Sequence, residues 1–387
     1  MYDSRALRDQ CAIAGIGITE ISKDSGRTEL GLACVAIERA LEDAGIDRNE
    51  VDGLVTWDVE KNTLWDVARN CGFKKVQYFG KAAHGGGSSC GTVAQAVLAV
   101  TSGLANCVVI WRALNGRSGA TRMADAGAVL EAPGEHQFRM PYGLAAAPAQ
   151  AALRTRRYMH MTGLTTRQLG AVAVACRNHA LTNPNALMHG KPITLDDHEQ
   201  SRMIADPLRL LDCTLECDAA GAIIVTSAAR ARNLKHKPIY IMAAAQGLDN
   251  SIDIMSNYTN DMASMPDCEI VAKQIFPMAG ISPKDIDVAQ LYDAFSPLVP
   301  MQLEAYGFCK TGEGGAFCEN GNIELGGTLP VNTSGGNLSE GYIHGITHII
   351  EGVRQMRGTS LAQVPNAEIS LVTAGPVVPT SALIIRR

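Results

Sequence analysis

Apolar and polar positions alternate along this chain in two rhythms. CAIAGIGIT (11–19) is an unbroken apolar run of strand length and reads as a buried strand. TELGLACVAIERALEDAG (28–45) carries its apolar residues at helical spacing and ends on Gly45, a stop signal. VDGLVTW (51–57) reads as a strand. CGTVAQAVLAVTSG (90–103) is an almost wholly apolar helix, hence buried, and NCVVIWRA (106–113) is the next strand. Such alternation predicts an α/β fold with helices packed on sheets.

The pattern then recurs. ALEDAGIDRNEVDGLVTWD, from Ala40, is echoed by FPMAGISPKDIDVAQLYDA, from Phe276. Ala44-Gly45-Ile46 falls on Ala279-Gly280-Ile281, and Glu50-Val51-Asp52 on Asp285-Ile286-Asp287. HGGGSSCGTVAQAVLAV (84–100) is echoed by TSGGNLSEGYIHGITHII (333–350), a glycine loop followed by a helix. Two echoes in the same order point to duplication. The expected organisation is an N-terminal half, 1–237, and a C-terminal half, 238–387. A loop excursion over about 118–165 is long for a connection, and such segments usually cap a site or touch a partner.

Composition narrows the function classes. The 387 residues are 46% hydrophobic and 19% charged, enough to bury a large core. The net charge of −5 and the lack of a Lys/Arg stripe argue against nucleic acid as a partner. No run of about 18 apolar residues suggests a membrane span. The N-terminus lacks the basic-then-apolar order of a signal peptide, so a cytoplasmic location is expected. The eleven cysteines are scattered, with no C-x-x-C, and read as small buried thiols in a reducing compartment.

Three segments could carry chemistry. Cys90 follows Gly85-Gly86-Gly87-Ser88-Ser89 and opens an apolar helix, where the helix dipole favours thiolate; it is a nucleophile, an acyl-thioester neighbour or simply a small residue packed at a helix start. Tyr292 and Asp293, in AQLYDAF, stand where a strand gives way to the helix begun by Ser296-Pro297, a place where α/β folds expose reactive groups; a core tyrosine bonded to backbone is the alternative. Tyr342 is delivered by the glycine loop GGNLSEGYIHG (335–345). His344 and His348 lie one turn apart, without the glutamate or third ligand of a zinc motif, so no metal is expected and His344 reads as a hydrogen-bonding or packing residue. Arg112, Asn115 and Arg117 sit at a strand end and either position a ligand or the excursion, or line a solvated loop.

Cys90-Gly91-Thr92 before an apolar helix, Tyr292-Asp293-Ala294-Phe295, and Gly335-Gly336-Asn337-Leu338-Ser339-Glu340-Gly341-Tyr342 together resemble the thiolase superfamily, in its sterol carrier protein branch. The resemblance spans nearly the whole chain. It implies the thiolase fold, two duplicated α/β halves forming a layered αβαβα core. It also implies an acyl-CoA substrate, a homodimer and no cofactor beyond the CoA of the substrate.

The departures from the thiolase pattern matter most. Both positions where the family keeps an active-site histidine hold tyrosine, Tyr292 and Tyr342, and Val372-Thr373-Ala374-Gly375-Pro376 lacks the second cysteine. A phenol of pKa near 10 is a poor base for a thiol and is better suited to exchanging a proton with an alcohol or enolate. A tyrosine pair in this frame is similar to the thiolase-like aldolases of steroid side-chain degradation, often called lipid-transfer proteins. That resemblance implies retro-aldol cleavage of a β-hydroxyacyl-CoA, such as a 17-hydroxy steroid C-22 CoA thioester, to a 17-ketosteroid and propionyl-CoA. Tyr292 is the first choice as base and Tyr342 as acid, with the reverse open. Cys90, Asp293, His344, Gly336 and Asn337 are the supporting or oxyanion candidates. A separate small zinc-ribbon/OB-fold partner protein is also implied. Two alternatives stand beside this reading: a Cys90-dependent thiolase, and a non-catalytic acyl-CoA- or sterol-binding subunit.

Overall fold

The structure, a computed structural model, describes residues 5–119, 136–144, 146–250, 252–253, 256–257, 263–376 and 379–387. Nine strands form one mixed sheet: β1 (Cys11–Ile18), β2 (Gly53–Trp57), β3 (Tyr78–Ala82), β4 (Cys107–Asn115), β5 (Asp218–Ser227), β6 (Ile239–Gly247), β7 (Val288–Gln290), β8 (Ile369–Thr373) and β9 (Thr380–Arg386). Their order is β7-β8-β9-β6-β1-β5-β4-β2-β3. The halves meet where β1 pairs antiparallel with β6, Ala12 opposite Tyr240 and Ile13 opposite Ile239. Outward from that seam, each half presents its first strand, its last, its penultimate and then its second.

Four helices set the layers: α1 (Glu29–Ala44), α2 (Ser89–Thr101), α3 (Pro266–Ala279) and α4 (Ile346–Arg357). Helix α1 covers the outer face of β1, β4 and β5, and α3 covers β6 and β9. Helices α2 and α4 lie between, each packed on strands of both halves. The result is the layered αβαβα arrangement. Strand β1 shows why its sequence is apolar throughout: Cys11 and Ile13 pack with Val93, Ala96 and Val97 of α2 in the central layer. Ala14 packs with Leu32, Ala36 and Ile37 of α1 on the other side. A strand buried on both faces cannot alternate apolar with polar.

The sequence echoes occupy matching places. Helix α1 runs from an N-cap at Thr28 to a left-handed C-cap at Gly45. A single 3₁₀ turn with an Asp47–Glu50 capping box then leads to β2. Helix α3 ends on left-handed Gly280, and a Ser282–Asp285 box leads to β7. Gly45 and Gly280 have φ of 68° and 65°, the conformation that favours glycine at a helix end.

Of the excursion expected over 118–165, residues 120–135 and 145 lie outside the described residues. Its described part contributes two α-helices, His136–Arg139 and Ala147–Thr162, and a 3₁₀ turn, Met140–Tyr142. Among the described residues, no helix is long and apolar enough to cross a membrane.

Candidate active site

The chain beyond β7 turns sharply so that Tyr292 faces the glycine loop of the first half. Three bonds fix its backbone and neighbours. The Tyr292 N–H donates to Thr373 Oγ1 (3.0 Å), the Gln302 amide donates to the Tyr292 carbonyl (2.7 Å), and Thr373 Oγ1 donates to Gln302 Oε1 (2.6 Å). The Tyr292 ring stacks on His348 with centroids 6.0 Å apart. Above it lies Gly86, where an added Cβ would sit 2.1 Å from the Tyr292 hydroxyl. Gly86 has no room to retreat, since its carbonyl accepts from the Gly375 N–H at 2.8 Å.

Tyr342 comes from the other glycine loop. A short helix, Gly336–Ser339, precedes it, and α4 begins four residues later, at Ile346. Cys217 holds its backbone, the Sγ lying 3.2 Å from the Tyr342 N and 3.4 Å from its carbonyl oxygen. The hydroxyl of Tyr292 donates to that of Tyr342 at 2.9 Å, and the rings meet edge-on with centroids 6.3 Å apart. The structure thus brings together two phenols that are 50 residues apart in sequence.

Their surroundings make them unequal. Burial, the nearby Tyr342 and its hydrogen bond push the Tyr292 phenol well above its ordinary range. Burial also raises Tyr342, to about 12, but the hydrogen bond from Tyr292 and the charge of Arg112 pull it back. Of the two, Tyr342 gives up its proton more readily.

His344 stands at the outer edge of the site, its ring edge-on to Tyr342 at 5.2 Å. It adopts φ 50°, a left-handed conformation uncommon outside glycine and worth notice beside a site. Its Nδ1 accepts a hydrogen bond from Arg112 Nε at 3.0 Å. Arg112 in turn donates from Nη1 to Glu60 Oε2 at 2.7 Å, an ion pair with both side chains almost fully buried. Burial, reinforced by Arg112, pushes His344 well below the usual imidazole range, so it is neutral.

The remaining candidates lie around the pair. Asp293 is fully buried and faces the start of the short helix: Oδ1 accepts from the Asn337 N–H (2.8 Å) and pairs with His348 Nε2 (3.0 Å), and Oδ2 accepts from the Leu338 N–H (3.3 Å). It anchors the glycine loop. Gly336 has φ 61°, and a Cβ there would meet Asp293 Oδ2 at 2.2 Å. The Asn337 N–H is consumed by Asp293, which leaves the side-chain amide, buried and without a hydrogen-bond partner, as the donor that residue could offer. Asn115 and Arg117 tie loops to Glu29, Arg27 and Asp218 and stand apart from the tyrosines.

Cys90 departs from the thiolate expectation. Helix α2 begins one residue earlier, at Ser89, and the Cys90 side chain is buried in the central layer, its thiol donating to the Val372 carbonyl at 3.5 Å. Burial pushes the thiol up, and this desolvation outweighs the helix dipole. A neutral, enclosed thiol resists alkylation. Iodoacetamide at neutral pH should therefore leave turnover unchanged and Cys90 unlabelled by peptide mass mapping; loss of activity in step with Cys90 labelling would contradict this.

Glu60 and the role of His348 escaped the sequence reading. Glu60 lies in a polar stretch, Asp58-Val59-Glu60-Lys61-Asn62, that gives no sign of burial. Arg112, inside an otherwise apolar strand, was the available signal, because a buried arginine demands a carboxylate.

The thiolase-type α/β frame defines the class of protein. Residues 251–385 match the thiolase C-terminal domain-like family. The 17-hydroxy-3-oxo-4-pregnene-20-carboxyl-CoA lyase of Mycobacterium tuberculosis is 48% identical, over 98% of this chain and 100% of that protein. A steroid side-chain-cleaving aldolase of Thermomonospora curvata is 47% identical, over 98% of both. Among solved structures, the Ltp2-ChsH2(DUF35) aldolase superposes with a TM-score of 0.93 at 46% identity, covering 98% of each chain. A monomeric SCP2-thiolase-like protein of Mycobacterium smegmatis shares the fold at a TM-score of 0.76 and 20% identity, over 98% of this chain and 78% of that one. The chain belongs to the thiolase-fold family of steroid side-chain-cleaving aldolases, and it is a carbon–carbon lyase.

Proposed function

We propose that the chain cleaves a 17-hydroxy steroid whose side chain ends in a C-22 CoA thioester, releasing a 17-ketosteroid and propionyl-CoA, with Tyr292 and Tyr342 moving the proton. The observation that carries this reading is the 2.9 Å hydrogen bond between the two buried phenols. Retro-aldol cleavage moves one proton from the β-hydroxyl oxygen to the α-carbon and otherwise only breaks a carbon–carbon bond. Two phenols in contact suit such a transfer, since what one takes the other can return.

The electrostatics favour Tyr342 as base, the reverse of the first choice from sequence. Tyr342 accepts from Tyr292 and feels Arg112, so the pair holds its negative charge on Tyr342. Tyr342 phenolate takes the β-hydroxyl proton; the bond to the α-carbon breaks, leaving a ketone and a CoA-thioester enolate. Tyr292 then gives its proton to the α-carbon, and the proton on Tyr342 passes back along the hydrogen bond. Atoms and charge balance with no cofactor, and the CoA enters as part of the substrate. Because the working form carries a phenolate whose conjugate acid lies at about 12, kcat/KM should rise with pH. The expected slope is about tenfold per pH unit through the neutral range, and a flat profile from pH 7 to 9 would remove Tyr342 as base.

A cytoplasmic setting suits the eleven free cysteines. A homodimer would cover β3, which ends the sheet with Phe79 67% exposed. A separate zinc-ribbon/OB-fold protein is proposed as partner, in keeping with a structural relative that carries a second protein in its name, Ltp2-ChsH2(DUF35). The test is direct. The full chain, co-expressed with its partner, is given the 17-hydroxy-pregnene-carboxyl-CoA thioester, and both products are followed by mass spectrometry. Equal amounts of ketosteroid and propionyl-CoA support the reading; tight binding without turnover would favour a binding subunit instead.

A further inference from the structure

The phenol pair handles the proton but offers nothing to the negative charge that develops on the thioester oxygen. We propose that Glu60, Arg112 and His344 form a relay that fixes His344 as a neutral donor, its Nε2–H bonding to that oxygen as the enolate forms. The proposal rests on the aldolase reading above.

The tautomer follows from donor chemistry. A guanidinium has donors and no acceptor, so the nitrogen facing Arg112 Nε at 3.0 Å, Nδ1, must bring a lone pair. In a neutral imidazole the proton is then on Nε2. Arg112 cannot turn away, since its Nη1 is held by Glu60 Oε2 and by the Ala113 carbonyl, both at 2.7 Å. Glu60 is held as well: Oε2 also accepts from the Ala113 N–H (3.0 Å), and Oε1 accepts from the Asn62 backbone N–H (3.1 Å) and side-chain amide (2.6 Å).

Position completes the case. His344 Nε2 makes no hydrogen bond among the described residues, and at 9% exposure His344 is the most open of the site's four ring residues, against 6% for Tyr342, 3% for Tyr292 and 1% for His348. Nε2 and Cε1 face Gly85, where an added Cβ would lie 3.2 Å from both. A free N–H beside a buried proton-transfer pair, opposite a glycine, is placed to meet a ligand oxygen. A neutral donor is suited to an enolate, stabilising the charge without giving up its proton to the oxygen. His344 is thus a catalytic donor; Arg112 and Glu60 are positioning residues.

Enolate formation can be read without steroid, by exchange of the α-protons of propionyl-CoA with D₂O. His344→Leu and His344→Gln impose the same left-handed backbone strain, so their difference isolates the donor. In the complex with the partner, His344→Leu should lose about 10²–10³-fold in kcat and in exchange, whereas His344→Gln, which keeps an N–H, stays within about tenfold of the parent. Glu60→Gln/Arg112→Met removes the clamp without stranding a buried charge. It should lower kcat at least about tenfold with KM little changed, and shift the His344 ¹⁵N signals away from the pure Nε2–H pattern. Exchange by His344→Leu at the parent rate, with steroid cleavage by the parent intact, would overturn the donor role alone. An unchanged ¹⁵N pattern in the double variant would overturn the relay. Failure of the parent to cleave the steroid thioester would overturn the aldolase reading and this inference together.

Discussion

Tyr342→Phe should reduce kcat by at least about 10³-fold while leaving the fold intact, and Tyr292→Phe should do the same. Each substitution removes a single oxygen. The stacking of Tyr292 on His348 and the edge-on contact of the two rings survive, because they are contacts between rings and do not need the phenol oxygens. What is lost is the 2.9 Å bond that allows a proton to pass. Because the phenols work as a unit, the double variant should be little slower than either single one. Melting temperatures within a few degrees of the parent, measured beside turnover, would show that chemistry and not folding was lost. Multiplying losses in the double variant would mean the tyrosines act independently.

The second large effect is expected at Gly86. A methyl group there would lie 2.1 Å from the Tyr292 hydroxyl oxygen and 2.5 Å from the ring carbon bearing it. Neither side can yield cheaply: Gly86 is bonded to Gly375 at 2.8 Å, and Tyr292 is held at its own N–H and carbonyl. Gly86→Ala should therefore cost about 1–3 kcal/mol of stability through overpacking and about 10²-fold or more in kcat through displacement of the phenol. Adding Tyr292→Phe should recover part of the stability and none of the activity. Thermal melts and steady-state turnover on the two variants check both statements, and an active Gly86→Ala protein would show that the Tyr292 position is not critical.

Much of this was legible in the sequence because it depends on local pattern. The limits of α1 follow from Thr28 and Gly45, which cap it in the structure, and the echo of Ala44-Gly45-Ile46 in Ala279-Gly280-Ile281 is a repeated helix end. The tyrosines were legible because each sits in a recognisable loop. The illegible parts depend on contacts between residues far apart in the chain. Cys90 stands near a helix start, as its glycine loop suggests, but only the fold brings the Val372 carbonyl of β8 over its thiol and removes it from solvent. Glu60 meets Arg112 across 52 residues, and Arg112 meets His344 across 232. Asp293 beside Tyr292 reads as a helper for the base, yet its partners are the Asn337 and Leu338 amides and His348. No spacing rule indicates such pairings; the charge of a lone arginine in an apolar strand is the most a sequence offers.

This thiolase frame is expected to work through its phenols and not its cysteine. The deciding measurement is propionyl-CoA release from the 17-hydroxy steroid thioester, followed for the parent, Cys90→Ala and Tyr342→Phe in complex with the partner. Near-parent rates for Cys90→Ala with a silent Tyr342→Phe are the expected result. A dead Cys90→Ala protein beside an active Tyr342→Phe would contradict the claim and restore cysteine chemistry to the site.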